Sequence, residues 1–525
     1  MVKNLRQRIF LARQLGNFKK LRNLQKLIQR SYANLLLSVR KITQTNIGKV
    51  TAGIDKEIIN TPEQRVKLVN NWNGGKQYPT KRVMIPKANG KFRPLGIPTV
   101  RDRIEQTIIV NSLEPEWEVV FEPNSYGFRC GRSCHDAIAQ SWIRLNASPN
   151  ARHTWVLEAD IQGFFNNIAH ESILRQLGDF PSRNLIKGWL KAGFIFEGIY
   201  NPTKTGTPQG GVCSPLLANI GLHGLETLIK STNPKLGVVR YADDFIVTAR
   251  DKGSLESVQI QIQQWLFERG LSLSPEKTFI TSMVDGFDFL GFNHRHFNGK
   301  LLIKPSKKKV LDFCKRIGQE IKAMNGCEQQ VVIKRLNPIL RGFANYYKGV
   351  VSKETFEYVK SRIWQYLWRW VKRRHPNKNK KWVRKRYFKT INGNKWTFAT
   401  STSDRRGKQK DFYLYPIAHT PIKRHVKVKG KASPDDPSLK EYWELRYQKH
   451  GSSYWERNSR NFKIAQNQNW KCSICGEPLF NGEEIETHHI VPVAKGGLDN
   501  LENLQHLHLA CHKQVHTKSK STRLK

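Results

Sequence analysis

Two adjacent acids at the tip of a strongly apolar hairpin constrain this chain more than any other feature. In GVVRYADDFIVTA, residues 237–249, apolar and β-branched side chains flank Asp243 and Asp244 on both sides. The pattern predicts two buried strands with the carboxylates at their connection. Neighbouring carboxylates repel unless a cation lies between them, so the pair costs stability without one. Asp160, closing the strand-like run TWVLEAD, supplies a third acid at a strand end. Such a trio suits phosphoryl transfer by two divalent ions about 3.5–4 Å apart, which activate a hydroxyl and stabilise a leaving pyrophosphate. A lone Asp-Asp pair is more often an ordinary turn, so its neighbours decide.

Those neighbours form an ordered series. RVMIPKANGKFRPLGIP, residues 82–98, sets Lys87 and Arg93 on either side of an Asn-Gly hairpin turn, where two cations could grip a triphosphate. TGTPQGGVCSPLLANI, residues 205–220, has Gly206, Gly210 and Gly211 for close backbone approach, and a helix is predicted to begin near Ser214 and Pro215. Short β-rich runs alternate with helical patterns such as 255–269 from about residue 77 to about residue 303, so this region reads as α+β or α/β. From 307 to 374 the pattern is helical. Val310, Phe313, Ile317 and Ile321 make one apolar stripe, and Phe356, Val359, Ile363, Tyr366 and Trp370 make another. The first forty residues also read as helix, with Leu21, Leu24, Ile28, Leu35 and Val39 on one face.

Charge narrows the partners. The 525 residues carry 89 Lys and Arg against 42 Asp and Glu, a net +47, with 38% hydrophobic residues. That is a foldable polycation, and nucleic acid is the first polyanion to consider. The stretch 371–431 holds 20 Lys/Arg against Asp404 and Asp411, interleaved with Trp382, Tyr387, Phe388, Trp396, Phe398, Phe412, Tyr413 and Tyr415. That mixture suits phosphate contact with base stacking, or a small core. No apolar run approaches the roughly 20 residues of a spanning helix, and the N-terminus has no signal-peptide h-region. Eight cysteines form no disulfide framework.

With these segments in hand, the chain resembles a reverse transcriptase of the group II intron-encoded maturase family, over nearly its whole length. NLLLSVRKITQTNIGKVTAGID is similar to the family's N-terminal extension. RVMIPKANGKFRPLGIPTVRDRIEQ, NSYGFRCGRSCHDAI, LEADIQGFFNNIAH, GTPQGGVCSPLLANI, RYADDF, GLSLSPEKT and FDFLGF resemble its polymerase motifs, and RLNPILRGFANYY its thumb segment. The resemblance implies Asp160, Asp243 and Asp244 as Mg2+ ligands with help from the Ile161 carbonyl, and Lys87 and Arg93 on the triphosphate. It implies Gln209 in the nucleotide pocket and Lys277 as proton donor to the leaving pyrophosphate. Phe165, five residues after Asp160, would press on C2′ of an incoming nucleotide and select dNTPs. Phe164 and Phe165 are expected on an extended segment, one facing the pocket and the other the core. Cys213 and Asn166 depart from the family pattern without touching the carboxylates.

The last seventy residues carry metal-ligand spacing. Cys472 and Cys475 form a C-x-x-C knuckle, Cys511 adds a third thiol, and the fourth Zn2+ ligand is His508, spaced H-x-x-C, with His506 as the alternative. The remaining residues resemble an HNH endonuclease of the ββα-metal fold. In that resemblance His489 is the general base. His488, His512 and His516 hold one divalent cation. Asn503 orients the His489 hairpin or the base itself.

The expectation is therefore a multidomain α+β chain. Residues 1–75 would be a basic helical extension, and 76–303 right-hand fingers and palm, the palm ferredoxin-like. A helical thumb would occupy 304–375, a basic DNA-binding region 376–455, and the HNH module 456–525. Intron RNA, target DNA and dNTPs are the expected partners, with no membrane and with a homodimer left open. The compartment would be the bacterial cytoplasm near the nucleoid, or an organelle. A splicing-only maturase and an RNA-copying RNA polymerase are the competing readings. Intact carboxylates and the HNH module stand against the first, and Phe165 with the DNA nuclease against the second.

Overall fold

A computed structural model describes residues 1–86, 90, 92–146, 152–391, 393–403, 409–452, 454–455, 458–481 and 483–521. At its centre Trp155–Asp160 runs antiparallel between Asp244–Ala249 and Phe279–Ser282, and Gly237–Tyr241 closes the far edge beyond Asp244–Ala249. The period of two sorts this sheet. Leu157, Ala159, Phe245 and Val247 face a core shared with Leu217, Leu225, Leu255 and Ile262 on the helices Ser214–Gly221, Leu225–Thr232 and Lys252–Phe267. Val156, Val239 and Ile246 face the other way, into a core with Phe287, Phe292 and thumb residues. Asp160 shares the parity of Val156 and so projects from this second face.

The fingers hairpin pairs Thr80–Pro86 with Phe92–Ile97, and a short strand, Phe194–Phe196, extends it in parallel. The N-terminal stretch is three helices, Val2–Gln14, Phe18–Gln29 and Tyr32–Arg40. The break after the first is marked by Asn17, whose side chain accepts from Lys20 N at 3.0 Å. Leu21, Leu24 and Ile28 are buried with Leu5 and Ile9, while Leu35 and Val39 pack on Ile104 and Ile108 of helix Val100–Val120.

Both thumb stripes face the core: Val310, Phe313, Ile317 and Ile321 on Lys307–Ala323, and Phe356, Val359, Ile363 and Trp370 on Lys353–Arg374, are buried, while Tyr366 is half-buried at its edge. Phe313 stacks on Phe343 of helix Gln329–Tyr347 at 4.0 Å. The basic stretch departs from a simple nucleic-acid platform. Phe388–Ile391, Asn394–Ser403 and Gln409–Tyr413 form a three-stranded sheet, and Tyr387, Phe388 and Phe398 are buried in the same core as Ile363, Leu367 and Trp370. Most of its aromatics thus build a core, with Trp396 at 40% exposure the clearest exception. No change of core occurs at residue 375. Arg384, Lys385 and Arg386 stay on the surface. The polar tail TKSKSTRLK, residues 517–525, reads from composition as disordered, but helix Leu509–Ser521 takes in its first five residues, and 522–525 lie outside the described residues. Among the described residues no helix is long and apolar enough to cross a membrane.

One carboxylate straps the segment after this sheet to the palm. Asp136, in the first turn of Cys134–Leu145, is fully buried. One oxygen accepts from Ser133 N at 2.8 Å, and the other meets His425 Nε2 at 2.9 Å, Val428 N at 2.8 Å and Arg446 Nη2 at 3.0 Å. Burial alone would raise its pKa. The His425 bond and charge, the Val428 N–H and Arg446 overcome this and hold it at about 2. A depressed acid contributes stability above its unfolded value of about 3.9 and loses it as pH falls toward the folded value. Asp136→Asn should therefore weaken this docking by about 2 kcal/mol at pH 7. Faster hydrogen exchange over 425–446 should reveal it, and wild type should show the same loosening between pH 4 and 2. Unchanged exchange in the variant would rule out the strap.

Candidate functional site

Register brings the three acids together. Asp160 lies directly opposite Asp244 on the neighbouring strand, and Asp244 opposite Tyr241 across the hairpin, with Asp243 at the tip. The tip needs Ala242 at φ +58°, the left-handed region that side chains rarely adopt. Its surroundings hold it there. Arg240 Nη1 donates to Ala242 O at 3.3 Å and to Asn219 Oδ1 at 3.1 Å, and Asn219 Nδ2 donates to Gly127 O at 2.8 Å. Gly127 touches the tip itself, since a Cβ there would lie 2.4 Å from Ala242 N. Residues from the SYGF and SPLLANI segments thus clamp the YADD turn. Gly127, Asn219 and Arg240 stand in recognisable segments, but their spacing in the sequence does not reveal that they meet at this tip.

The acids repel as expected. Asp244 lies at the open end of the sheet, yet protein crowds its carboxyl. Loss of hydration, the bond to Asp160 and the charge of Asp243 push it up to about 7. Asp243 is raised by burial and by Asp160, against the pull of Lys277 and Arg93. Lys277, in the turn Pro275–Lys277, donates to Asp160 Oδ2 at 2.7 Å, and this bond raises its own pKa. The Lys277 ammonium lies against these acids, where a divalent cation would neutralise them. An all-oxygen carboxylate set of this kind fits Mg2+.

The loop expected to face the nucleotide is assembled from glycines and one turn. Arg93 Nε donates to Gln209 Oε1 at 2.7 Å, and Gly96 N to Gln209 O at 2.6 Å. Gly210, at φ +117°, permits this approach, because a Cβ would sit 2.6 Å from Gly96 O. Thr207 N donates to Phe165 O at 2.7 Å, tying the same loop to the aromatic turn. Phe164 and Phe165 lie in a helical turn, Phe164–Asn167, so the alternation expected of an extended segment does not apply. Both are buried, and Phe165 meets the half-exposed Phe128 edge-on at 6.2 Å. Ile161 is buried and bridges to Leu273. Cys213 is buried as a packing group. Lys87 lies outside the described residues.

The C-terminal module holds two separate clusters. Cys472, Cys475, His508 and Cys511 bring their ligand atoms within 4.8 Å of one another, and His488, His512 and His516 do the same. His508 points Nδ1 at Cys475 Sγ, 3.3 Å away, while its Nε2 meets Pro478 O at 3.2 Å, which fixes the tautomer. His506 is outside the cluster. It stacks on Trp455 and bonds to Thr487 Oγ1 and Asn461 O. A Cys3His set is the donor chemistry of a closed tetrahedral zinc site.

Strand Ile485–His489 pairs with Leu504–His508. Neighbours on a strand face opposite ways. His488 accordingly turns toward His512 and His516, one turn apart on the following helix, and His489 turns toward the connecting loop. His512 Nδ1 is bonded to Glu486 Oε2. Burial, then the charges of His512, His516 and His489, lower the His488 pKa. His489 Nε2 meets Asp499 Oδ1 at 3.1 Å. Asn503 spends its side chain on the hairpin, accepting from Val491 N at 2.7 Å and donating to Val491 O and Leu498 O. Glu486 and Asp499 are partners that sequence spacing leaves unassigned.

The two clusters separate by experiment. Cys472→Ser or His508→Ala should remove one zinc per chain and lower the melting temperature of the module, which is too small to rely on its core alone. His506→Gln should keep the zinc, as read by metal analysis of the purified chain. Zinc loss in His506→Gln with retention in His508→Ala would reverse the assignment.

Comparison with known proteins agrees with this geometry. Residues 1–72 match the N-terminal domain of reverse transcriptase, 85–294 the reverse transcriptase (RNA-dependent DNA polymerase) family, 310–388 the group II intron maturase-specific domain, and 472–518 the HNH endonuclease family. Protein YkfC of Escherichia coli is 35% identical over 250 residues, covering 41% of this chain and 66% of that protein. Group II intron-encoded protein LtrA of Lactococcus lactis is 32% identical over 325 residues, covering 48% of this chain and 53% of LtrA. The chain thus spans one half to just under two thirds of these relatives. Taken in order along the sequence, the four matched domains and these relatives lead to one conclusion: the chain belongs to the group II intron-encoded reverse transcriptase/maturase family.

Proposed function

We propose that this protein is an RNA-directed DNA polymerase that also assists splicing of its intron RNA and nicks target DNA to prime copying. The observation that carries the polymerase reading is the register pairing of Asp160 with Asp244 beside Asp243. Magnesium held by these carboxylates would lower the pKa of the primer 3′-hydroxyl and neutralise charge on the phosphates. The remaining work falls to side chains. Arg93, tied to Gln209, would hold the triphosphate against the loop. Lys87 is proposed as its partner from the resemblance alone. Lys277, which bonds to Asp160, would give its proton to the departing pyrophosphate. The Ile161 carbonyl is proposed as a further metal contact.

In the C-terminal module, Zn2+ on Cys472, Cys475, His508 and Cys511 would hold the fold. His488, His512 and His516 would bind a divalent cation next to the scissile phosphate, with His489 as general base. The thumb and the basic sheet would bind intron RNA and target DNA, Arg384, Lys385 and Arg386 supplying phosphate contacts. Nothing in the geometry favours a splicing-only protein, because both sets of catalytic groups are intact.

Primer extension on an RNA template tests this directly. Asp243→Asn should lower cDNA synthesis by at least roughly 10²-fold, while splicing assistance in the same preparation persists. Synthesis at the wild-type rate would refute the assignment of the acids.

Phe165 offers a sharper test. Phe165→Ala should raise incorporation of NTPs relative to dNTPs, measured by single-nucleotide addition. A change seen only with Phe164→Ala would mean that the other ring is the gate.

A further inference from the structure

The loop after His489 is built with more care than a metal-binding histidine needs. Residues 490–503 return to the second strand through Gly496 and Gly497. Gly496 takes φ +85°, and a Cβ on Gly497 would fall 2.0 Å from Val491 O and 2.8 Å from Asn503 Nδ2. Asn503 ties the two ends of this loop by its bonds to Val491 and Leu498. The result is to bring Asp499 back to His489, with Oδ1 3.1 Å from Nε2. Asp499 is itself gripped from outside the loop. Arg460, at the start of helix Arg460–Asn467, bonds to both carboxylate oxygens and donates to Asp499 O at 2.9 Å.

We propose that Asp499 is a positioning residue. It holds His489 in the tautomer with the proton on Nε2, so that the Nδ1 lone pair faces the water to be activated, and Arg460 holds Asp499. A carboxylate accepts only, so the nitrogen facing it must carry the hydrogen. The other nitrogen is then the base. This rests on the nuclease reading. Water gives a proton to His489 Nδ1 as its oxygen forms the new P–O bond. The bond from phosphorus to the 3′-oxygen breaks with its electron pair on that oxygen, which takes a proton from bulk water. The imidazolium formed keeps its Nε2–H on Asp499. The motif spacing shows the histidines but not this pairing, because Arg460 lies 39 residues away from Asp499.

The test uses the full-length, zinc-loaded chain as wild type, Asp499→Ala, Asp499→Asn and His489→Ala. Ring 15N NMR, with His489→Ala assigning the signal, should report the Nε2–H tautomer in wild type and a mixture in Asp499→Ala. On supercoiled plasmid with Mg2+, Asp499→Ala should lower the kcat for nicking roughly 10- to 100-fold while KM stays within about twofold. Asp499→Asn, which keeps an acceptor oxygen, should recover part of it. Zinc content and extension of a supplied primer should not change. An Nδ1–H tautomer in wild type overturns the proposal, as does a higher KM at unchanged kcat, which would make Asp499 a DNA contact. An inactive His489→Ala beside a fully active Asp499→Ala overturns this inference alone. Wild-type nicking by His489→Ala overturns the nuclease reading and this inference with it.

Discussion

Repulsion between carboxylates organises the palm. Three acids are gathered at the ends of neighbouring strands, where each raises the cost of ionising the others, and folding must supply what holds them there. The central sheet does so by register, which fixes Asp160 opposite Asp244 to the residue. The tip is harder to hold, because Ala242 adopts a backbone conformation that its Cβ disfavours. A buried arginine, an asparagine from the preceding helix Ser214–Gly221 and a glycine with no room for a side chain surround it. These bonds are short-range and directional, so the acids are kept close while the Lys277 ammonium sits against Asp160.

What could be read from sequence and what could not divides along the range of the interaction. The YADD hairpin, the Asp160 strand, both thumb stripes and the two Cys/His groups are local patterns, and each is present in the structure. Features set by distant partners were hidden. His506 and His508 are two apart on one strand; the H-x-x-C spacing favours His508, and Trp455 and Asn461, which capture His506, complete the separation. Phe164 and Phe165 resemble an extended pair, but Gly163 at φ +56° turns the chain into helix before they can alternate. Asp136 looks like a helix-capping acid, and nothing near it in sequence announces His425 or Arg446.

The two metal chemistries also sit in different surroundings. The palm offers oxygen alone, on strand ends, with a lysine nearby. The C-terminal module offers sulfur and nitrogen, with three rings held by a further partner: Pro478 for His508, Glu486 for His512 and Asp499 for His489. Each of these rings would otherwise sample both tautomers. Fixing each ring through its far nitrogen lets one short module keep a closed site and an open site apart.

The shared core of thumb and basic sheet has a mechanical consequence. Trp370 and Ile363 on the long helix are buried with Phe388 and Phe398 on the sheet, and Trp370 Nε1 is anchored to Met324 O at 2.8 Å. Interiors packed this tightly do not slide in small steps. Any swing of the thumb must therefore carry the sheet and the surface cations of the adjoining helix Lys380–Tyr387 as one lever. Nucleic acid gripped along that lever would advance with it, so each step of a copying enzyme would move the product duplex and the strand held by the cations by the same stroke.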